Sequence, residues 1–254
     1  MKRIDVAAWT GIWPFTMSRE ADVAEVIGGL REVGVDGALV SPLNSILGPD
    51  PMLANRDLLA ACRDLAGSFQ VRVAPMLDPT LPGWEQDLAM LAADPMVAGV
   101  RLVPSYHGYP VDGAAVESIT RFATDLRLPV CVQVRIIDER AHHPLMLVPA
   151  VQTAAIARLA QAVPTAKILA SGAFQSDLAA LAACPNVAAE LSSIESADTL
   201  ANAVAVLGSE RLMLGTHVPV YTPAPGVAKV DEAADALVFD RIAVGNARTW
   251  FGFS

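Results

Sequence analysis

The sequence predicts an α/β chain folded as a single (β/α)8 barrel spanning residues 1–254. Three observations carry that expectation. Eight short runs rich in Val, Ile and Leu alternate with longer Ala-rich segments of helical pattern along the whole chain. The runs lack strict apolar–polar alternation, which suits strands covered on both faces. The first run leads into Trp9-Thr10-Gly11-Ile12-Trp13-Pro14, with no Gly-rich phosphate turn, and this argues against a doubly wound open sheet.

In chain order the strands are expected at Ile4–Ala8, Gly37–Ser41, Val71–Leu77, Gly99–Val103, Val130–Arg135, Lys167–Ala170, Val187–Ser192 and Leu212–Gly215. Helices are expected between them at Ser18–Val33, Met52–Ala66, Trp84–Ala93, Ala114–Asp125, Pro149–Ala162, Gln175–Ala183, Ala197–Val206 and Asp231–Ile242. Ser18 followed by Glu20 and Asp22 reads as a helix start, because early carboxylates favour the positive helix end. The Pro-rich segment Pro219–Gly226 reads as a long loop after the eighth strand. No composition shift marks a second domain.

Composition excludes several classes of function. Of 254 residues, 53% are hydrophobic and 18% charged, which rules out a disordered chain. A net charge of −9 argues against binding to nucleic acid or to anionic membrane surfaces. The most apolar late stretch, Leu145–Val163, contains Pro149, Gln152, Arg158 and Gln161, so an amphipathic helix is expected there and not a membrane span. The opening Met1-Lys2-Arg3-Ile4-Asp5 meets a carboxylate too early for a signal peptide. Cys62, Cys131 and Cys184 form no CxxC pair, and their odd number suits a reducing compartment. A cytoplasmic protein is the expectation. A homo-oligomer would be unsurprising for a barrel with Ala-rich outer helices.

In such barrels chemistry sits where strands end and the following loops begin. Alternation would place Asp5, Ala7 and Trp9 on one face of the first strand, and Glu190 and Ser192 on one face of the seventh. Arg101 and Tyr106-His107-Gly108-Tyr109 follow from the fourth strand. Gln133 and Arg135 end the fifth, and His217 ends the eighth.

These endings resemble the amidohydrolase superfamily, in its amidohydrolase-2 branch of TIM-barrel hydrolases and decarboxylases. Asp5-Val6-Ala7-Ala8-Trp9 is similar to the family's Asp-x-His-x-His opening, and Gly99-Val100-Arg101-Leu102 to its fourth-strand motif. Leu128-Pro129-Val130-Cys131-Val132-Gln133 and Ala170-Ser171-Gly172 resemble the family's fifth- and sixth-strand histidine motifs. Gly215-Thr216-His217-Val218-Pro219 resembles the Gly-Ser-Asp-x-Pro ending, and Asn246-Ala247 with Phe251-Gly252 the closing motif. The similarity implies a metal centre at the strand ends, but its ligand positions here read Ala7, Trp9, Gln133, Ala170 and His217. Catalytic zinc generally needs three protein ligands from His, Cys, Asp or Glu. No metal and no other cofactor is therefore expected. A regrouped site of Asp138, Glu139, His143 and His217 remains open, against a solvated charged loop; His142 and His143, being adjacent, point apart.

The remaining candidates follow from residue chemistry. His217 is the candidate general base, with a structural hydrogen-bonding role as its alternative. Arg101 and Arg135 are cations at the ends of apolar strands, and each needs either an internal partner, Asp5 or Glu190, or a substrate carboxylate. Tyr106, His107, Trp9, Gln133 and Glu190 are candidates for lining the substrate pocket. The leading expectation is a metal-independent hydrolase of a small carboxylated lactone, ester or amide, with an anionic small molecule as partner. Two alternatives stand beside it: a non-catalytic binding protein on the same scaffold, and a metal-dependent hydrolase or decarboxylase with a rebuilt site.

Overall fold

Eight parallel strands, in chain order, surround one axis in the computed structural model, which describes residues 2–15, 21–65, 67–143, 145 and 147–254. They are β1 (Ile4–Thr10), β2 (Gly37–Pro42), β3 (Gln70–Val73), β4 (Val100–Leu102), β5 (Val130–Gln133), β6 (Ile168–Ser171), β7 (Val187–Glu190) and β8 (Leu212–Met213). Continuous pairing joins β1 through β3 and β4 through β8. Backbone hydrogen bonds cross both seams: Val6 N–H donates to Leu214 O at 2.9 Å and Trp9 N–H to Val218 O at 2.8 Å. Between β3 and β4, Arg101 N–H donates to Pro75 O at 2.8 Å and Met76 bridges to Arg101. β3 is shorter than the expected Val71–Leu77 because Pro75 has no N–H to give to a ladder.

The interior is built in layers by the period of two. The lower layer is apolar: Val6, Leu39, Ala74, Cys131, Leu169, Ala188 and Met213, closed from below by Phe251 and Phe253. Two residues on, at Ser41, Gln133, Ser171 and Glu190, the strands turn polar. Above that layer Trp9, Trp13, Leu43, Ile46, Met76, Val103 and Ile136 form an apolar cap. The outer faces, including Ala8, Val40, Val100, Val132 and Ala170, pack against the helices.

One strand breaks the alternation. Between Asp5 and Ala8 the register with β2 shifts, three residues on β1 spanning two on β2. This bulge turns Trp9 into the interior beside Arg101, while Ala8 packs outward. The expectation of one face for Asp5, Ala7 and Trp9 is therefore corrected by the surplus residue.

Most helices fall where the periodicity puts them. The expected start at Ser18 lies outside the described residues; the helix Val23–Glu32 is capped by Asp22, which exchanges hydrogen bonds with Glu25. Asp50 caps Pro51–Arg63, and the expected end at Ala66 is likewise outside the described residues. The expected helix from Pro149 begins only at Thr153, because Val151 N–H is drawn to Val134 O at 2.9 Å. The loop expected at Pro219–Gly226 already contains the start of a helix, Ala224–Asp231, whose Pro225 sits where no intrahelical donor is needed. The helix expected at Asp231–Ile242 is divided, since Asp235 caps a new start at Ala236.

Among the glycines, Gly215 has the least room for a side chain. A Cβ there would overlap the Glu190 carboxylate. Gly215→Ala is expected to lower stability by about 3 kcal/mol through overpacking, measured by urea denaturation against the wild type.

Candidate active site

The polar layer is organised around Arg101, whose side chain is buried. Its Nε donates to Ser41 Oγ at 2.8 Å, one terminal nitrogen to Gln133 Oε1 at 2.6 Å, and the other to Val6 O at 3.3 Å. The Trp9 ring lies against the guanidinium, 4.5 Å from centroid to Cζ. Burial lowers the Arg101 pKa, while nearby Cys131, Glu190 and Asp5 act the other way. A guanidinium stays charged through such a shift.

Glu190 supplies the opposite charge. Gly172 N–H donates to its Oε1 at 2.5 Å, Ser192 Oγ to Oε1 at 2.9 Å, and Ser192 N–H to Oε2 at 2.6 Å. Burial would push its pKa up, but the neighbouring His217 and these hydrogen bonds outweigh it and hold the carboxyl below its ordinary range. Lys229, also buried, donates to Leu191 O and Ser192 O and so fixes the end of β7.

His217 is buried, with Nε2 3.1 Å from Gln133 Nε2, 3.3 Å from Ser171 Oγ and 3.6 Å from Glu190 Oε1. Tyr221 stacks on its ring and Trp9 meets it edge-on. Its backbone is left-handed, at φ 56°, an uncommon conformation for a residue with a Cβ. Burial pushes its pKa down to about 4, so the imidazole is neutral at pH 7.

Asp5 lies beside the layer, accepting from Thr216 Oγ1 at 2.5 Å, Thr216 N–H at 3.1 Å and Ala7 N–H at 2.9 Å. Burial raises its pKa to about 6, against the lowering effect of these donors. Thr216 and Ser192 both reach a cavity of about 470 Å³ at the strand ends, lined also by Phe174, Glu195 and Tyr221. The adjoining space brings in Arg140 and Gln175. A second cavity of about 310 Å³ lies among Trp13, Phe15, Tyr106, Ile137, His142 and His143.

The structure thus brings Trp9, Arg101, Gln133, Glu190 and His217 together, and sets the other expected site residues apart. Arg135 pairs with Asp177 at 2.8 Å, donates to Gly172 O and lies over Phe174, so its internal partner is neither Asp5 nor Glu190. Arg101 is within hydrogen-bond reach of neither carboxylate; its partners are uncharged oxygens. Tyr106 packs on Trp13 in the second cavity, and His107 turns to Asp78 at 3.8 Å. Sequence reasoning gave no site role to Ser41, Ser171, Thr216 or Lys229, and named Asp5 only on the first-strand face, in the opening motif and as a partner for arginine. Three of the missed positions carried a signal: Ser41 and Ser171 stand two residues beyond an interior apolar residue, and Thr216 adjoins His217.

This fold defines a TIM-barrel scaffold of the amidohydrolase kind. The chain belongs to the amidohydrolase family, whose Amidohydrolase model matches residues 45–253. Among solved structures it is similar to a 5-carboxyvanillate decarboxylase from Sphingomonas paucimobilis, with TM-score 0.78 and 16% identity over 100% of this chain and 99% of that one. A 5-carboxyvanillate decarboxylase from Novosphingobium aromaticivorans, complexed with manganese and a nitrobenzoic acid, gives TM-score 0.77 and 15% identity over 99% and 96%. A 2,6-dihydroxybenzoate decarboxylase from Rhizobium gives 0.76 and 15% over 98% of each chain. At these identities the likeness is one of fold. No curated protein matches the chain by sequence.

The manganese of such a neighbour finds no matching donors here. At the positions that the resemblance gives for the ligands, Ala7, Trp9 and Ala170 offer no lone pair, Gln133 is already bonded to Arg101, and His217 alone could ligate. The regrouped alternative is dispersed. Asp138 binds Arg140, Glu139 accepts Ala150 N–H, and the His142 and His143 Nδ1 atoms accept Val148 and Leu145 N–H. Among the described residues no group of three His, Cys, Asp or Glu could hold a metal ion. Among them, too, no helix is long and apolar enough to cross a membrane, and Cys62, Cys131 and Cys184 are free thiols.

Asp5 and His217 pull stability in opposite directions with pH. The folded Asp5 holds its proton up to about pH 6 against an ordinary 3.8, so this group removes stability as pH rises through that interval. Folded His217 gives up its proton near 4 against an ordinary 6.5, so it adds stability as pH rises over nearly the same interval. Asp5→Asn is expected to steepen the gain in stability between pH 4 and 6.5, and His217→Gln to convert it toward a loss. Each effect is about 3 kcal/mol, read by denaturant titration at a series of pH values.

Proposed function

We propose that this chain is a hydrolase of the amidohydrolase family that acts through its own side chains on a small carboxylated lactone, ester or amide, without a divalent metal. One observation carries the reading: Thr216, whose hydroxyl donates to Asp5, and Ser192, whose hydroxyl donates to Glu190, line the same 470 Å³ cavity. A carboxylate behind a hydroxyl is a means of drawing a proton from an attacking oxygen. Asp5 suits that task better than Glu190, because its pKa of about 6 lies close to neutrality. A water bonded to Thr216 attacks the acyl carbon and passes a proton to Thr216 Oγ1, whose own proton moves to Asp5 Oδ2. The proton then leaves Asp5 by the same route for the departing oxygen or nitrogen.

The expected anchors are reassigned on this reading. Arg101 and Arg135 are held by internal partners, and His217 is neutral with Nε2 already engaged, so the base moves to Asp5. Arg140, on the cavity wall with its side chain 89% exposed, is the cation free to turn to a substrate carboxylate. Its pair with Asp138 lies at the surface, where a substrate carboxylate would compete with Asp138 for the guanidinium. A second reading, decarboxylation of an aromatic acid, is favoured by the decarboxylase neighbours and the aromatic walls of the 310 Å³ cavity.

The test is a panel of carboxylated lactones, esters and amides beside hydroxylated benzoates, reading acid release and carbon dioxide separately, with and without chelator. Chelator-insensitive acid release is expected, from protein holding far less than one equivalent of metal. Thr216→Val should lower turnover about 100- to 1,000-fold with the fold intact. Carbon dioxide release from the benzoates would favour the second reading. Stoichiometric metal whose removal abolishes activity would overturn the first.

A further inference from the structure

The hydrogen bonds around Gln133 settle a point that none of the hydrolytic steps depends on. Its Oε1 faces Arg101, which can only donate, at 2.6 Å, and its Nε2 faces Arg135 O, which can only accept, at 2.7 Å. The orientation of the amide is therefore set from both ends. The second hydrogen of Nε2 is directed to His217 Nε2 at 3.1 Å, which must meet it with a lone pair. Two groups would favour a proton on that nitrogen: Ser171 Oγ, which gives its own proton to Glu190 Oε1 and lies at 3.3 Å, farther than the Gln133 amide, and Glu190 Oε1. The carboxylate oxygen stands 3.6 Å away, beyond hydrogen-bond range, and is already occupied by Gly172 N–H, Ser192 Oγ and Ser171 Oγ.

We infer that Gln133, clamped between Arg101 and the Arg135 carbonyl, is a positioning residue that holds His217 as the Nδ1–H tautomer with Nε2 occupied as an acceptor. The neutral ring then offers a donor and no free base. Its Nδ1 is buried without a hydrogen-bond partner, and the Ile136 backbone favours the protonated ring. The catalytic histidine expected at this position is thus converted into a fixed part of the wall, and this holds whatever reaction the cavity supports.

The tautomer is read directly by long-range ¹H–¹⁵N correlation on uniformly labelled protein at pH 7. The chain has four histidines, and His217→Gln identifies the missing spin system. In the wild type, His217 Nδ1 is expected to be the protonated nitrogen and Nε2 the bare one. Gln133→Glu keeps an acceptor for Arg101 but removes the donor, so Nε2 should carry a proton in that variant. Gln133→Met, neutral and without a donor, should give a mixture of tautomers and serves if the Glu variant does not fold. A wild-type spectrum with the proton on Nε2 would overturn the inference, as would either folded variant that keeps Nε2 bare. A merely structural Gln133 would change stability and leave the His217 nitrogens as they were.

Discussion

A permanent cation sits inside this barrel, and the rest of the strand-end architecture answers to it. Removing an arginine from water is costly unless its donors are met. Ser41, Gln133 and the Val6 carbonyl meet them, and the Trp9 face covers what they leave. Glu190 is the buried anion that balances the charge, itself held by the main chain of β6 and β7. From these two residues the order of the layer follows: Arg101 orients Gln133, Gln133 meets His217, and Glu190 gathers Ser171 and Ser192. The strand ends carry a connected set of polar contacts, and the apolar cap lies directly above.

Such a head separates two properties, depth and access. Depth and electrostatic strength belong to the buried layer, where few groups can move. Access belongs to the flanking cavities, whose walls come from loops. Thr216 and Ser192 are the residues in both zones: each lines the open space and each is bonded to a buried carboxylate. A buried carboxylate linked to solvent through one hydroxyl can exchange a proton without being exposed to competing water.

The barrel was legible in the sequence because its signal is repeated eight times, and errors at one strand end do not disturb the order of the rest. The helix Ala114–Asp125 emerges with its expected bounds, since its apolar stripe is uninterrupted. Where the reading failed, a local competitor was responsible: Asp235 starting a new helix, Val134 O drawing Val151 out of a helical turn. The site was legible only in part. Arg101, Gln133, Glu190 and His217 declared themselves as polar residues at the ends of apolar strands. Their partners did not, because a hydrogen bond between β4 and β2 joins residues 60 positions apart, and nothing in either local sequence names the other. Arg135 shows the same limit: its carboxylate partner, Asp177, lies in a short turn after β6 that no strand-end rule would single out.

The bulge in β1 carries a consequence for how this barrel differs from an open one. The surplus residue between Asp5 and Ala8 reverses parity for everything that follows on the strand. Without it, an alanine would face the axis and the indole would be turned toward the helices. Space of about one aromatic side chain would then open beside the Arg101 guanidinium, at the level of the polar layer. The difference between a sealed head and a chamber with a cation in its wall therefore comes down to one residue of strand length, a change that insertion or deletion can make in a single step while every polar side chain below stays where it is.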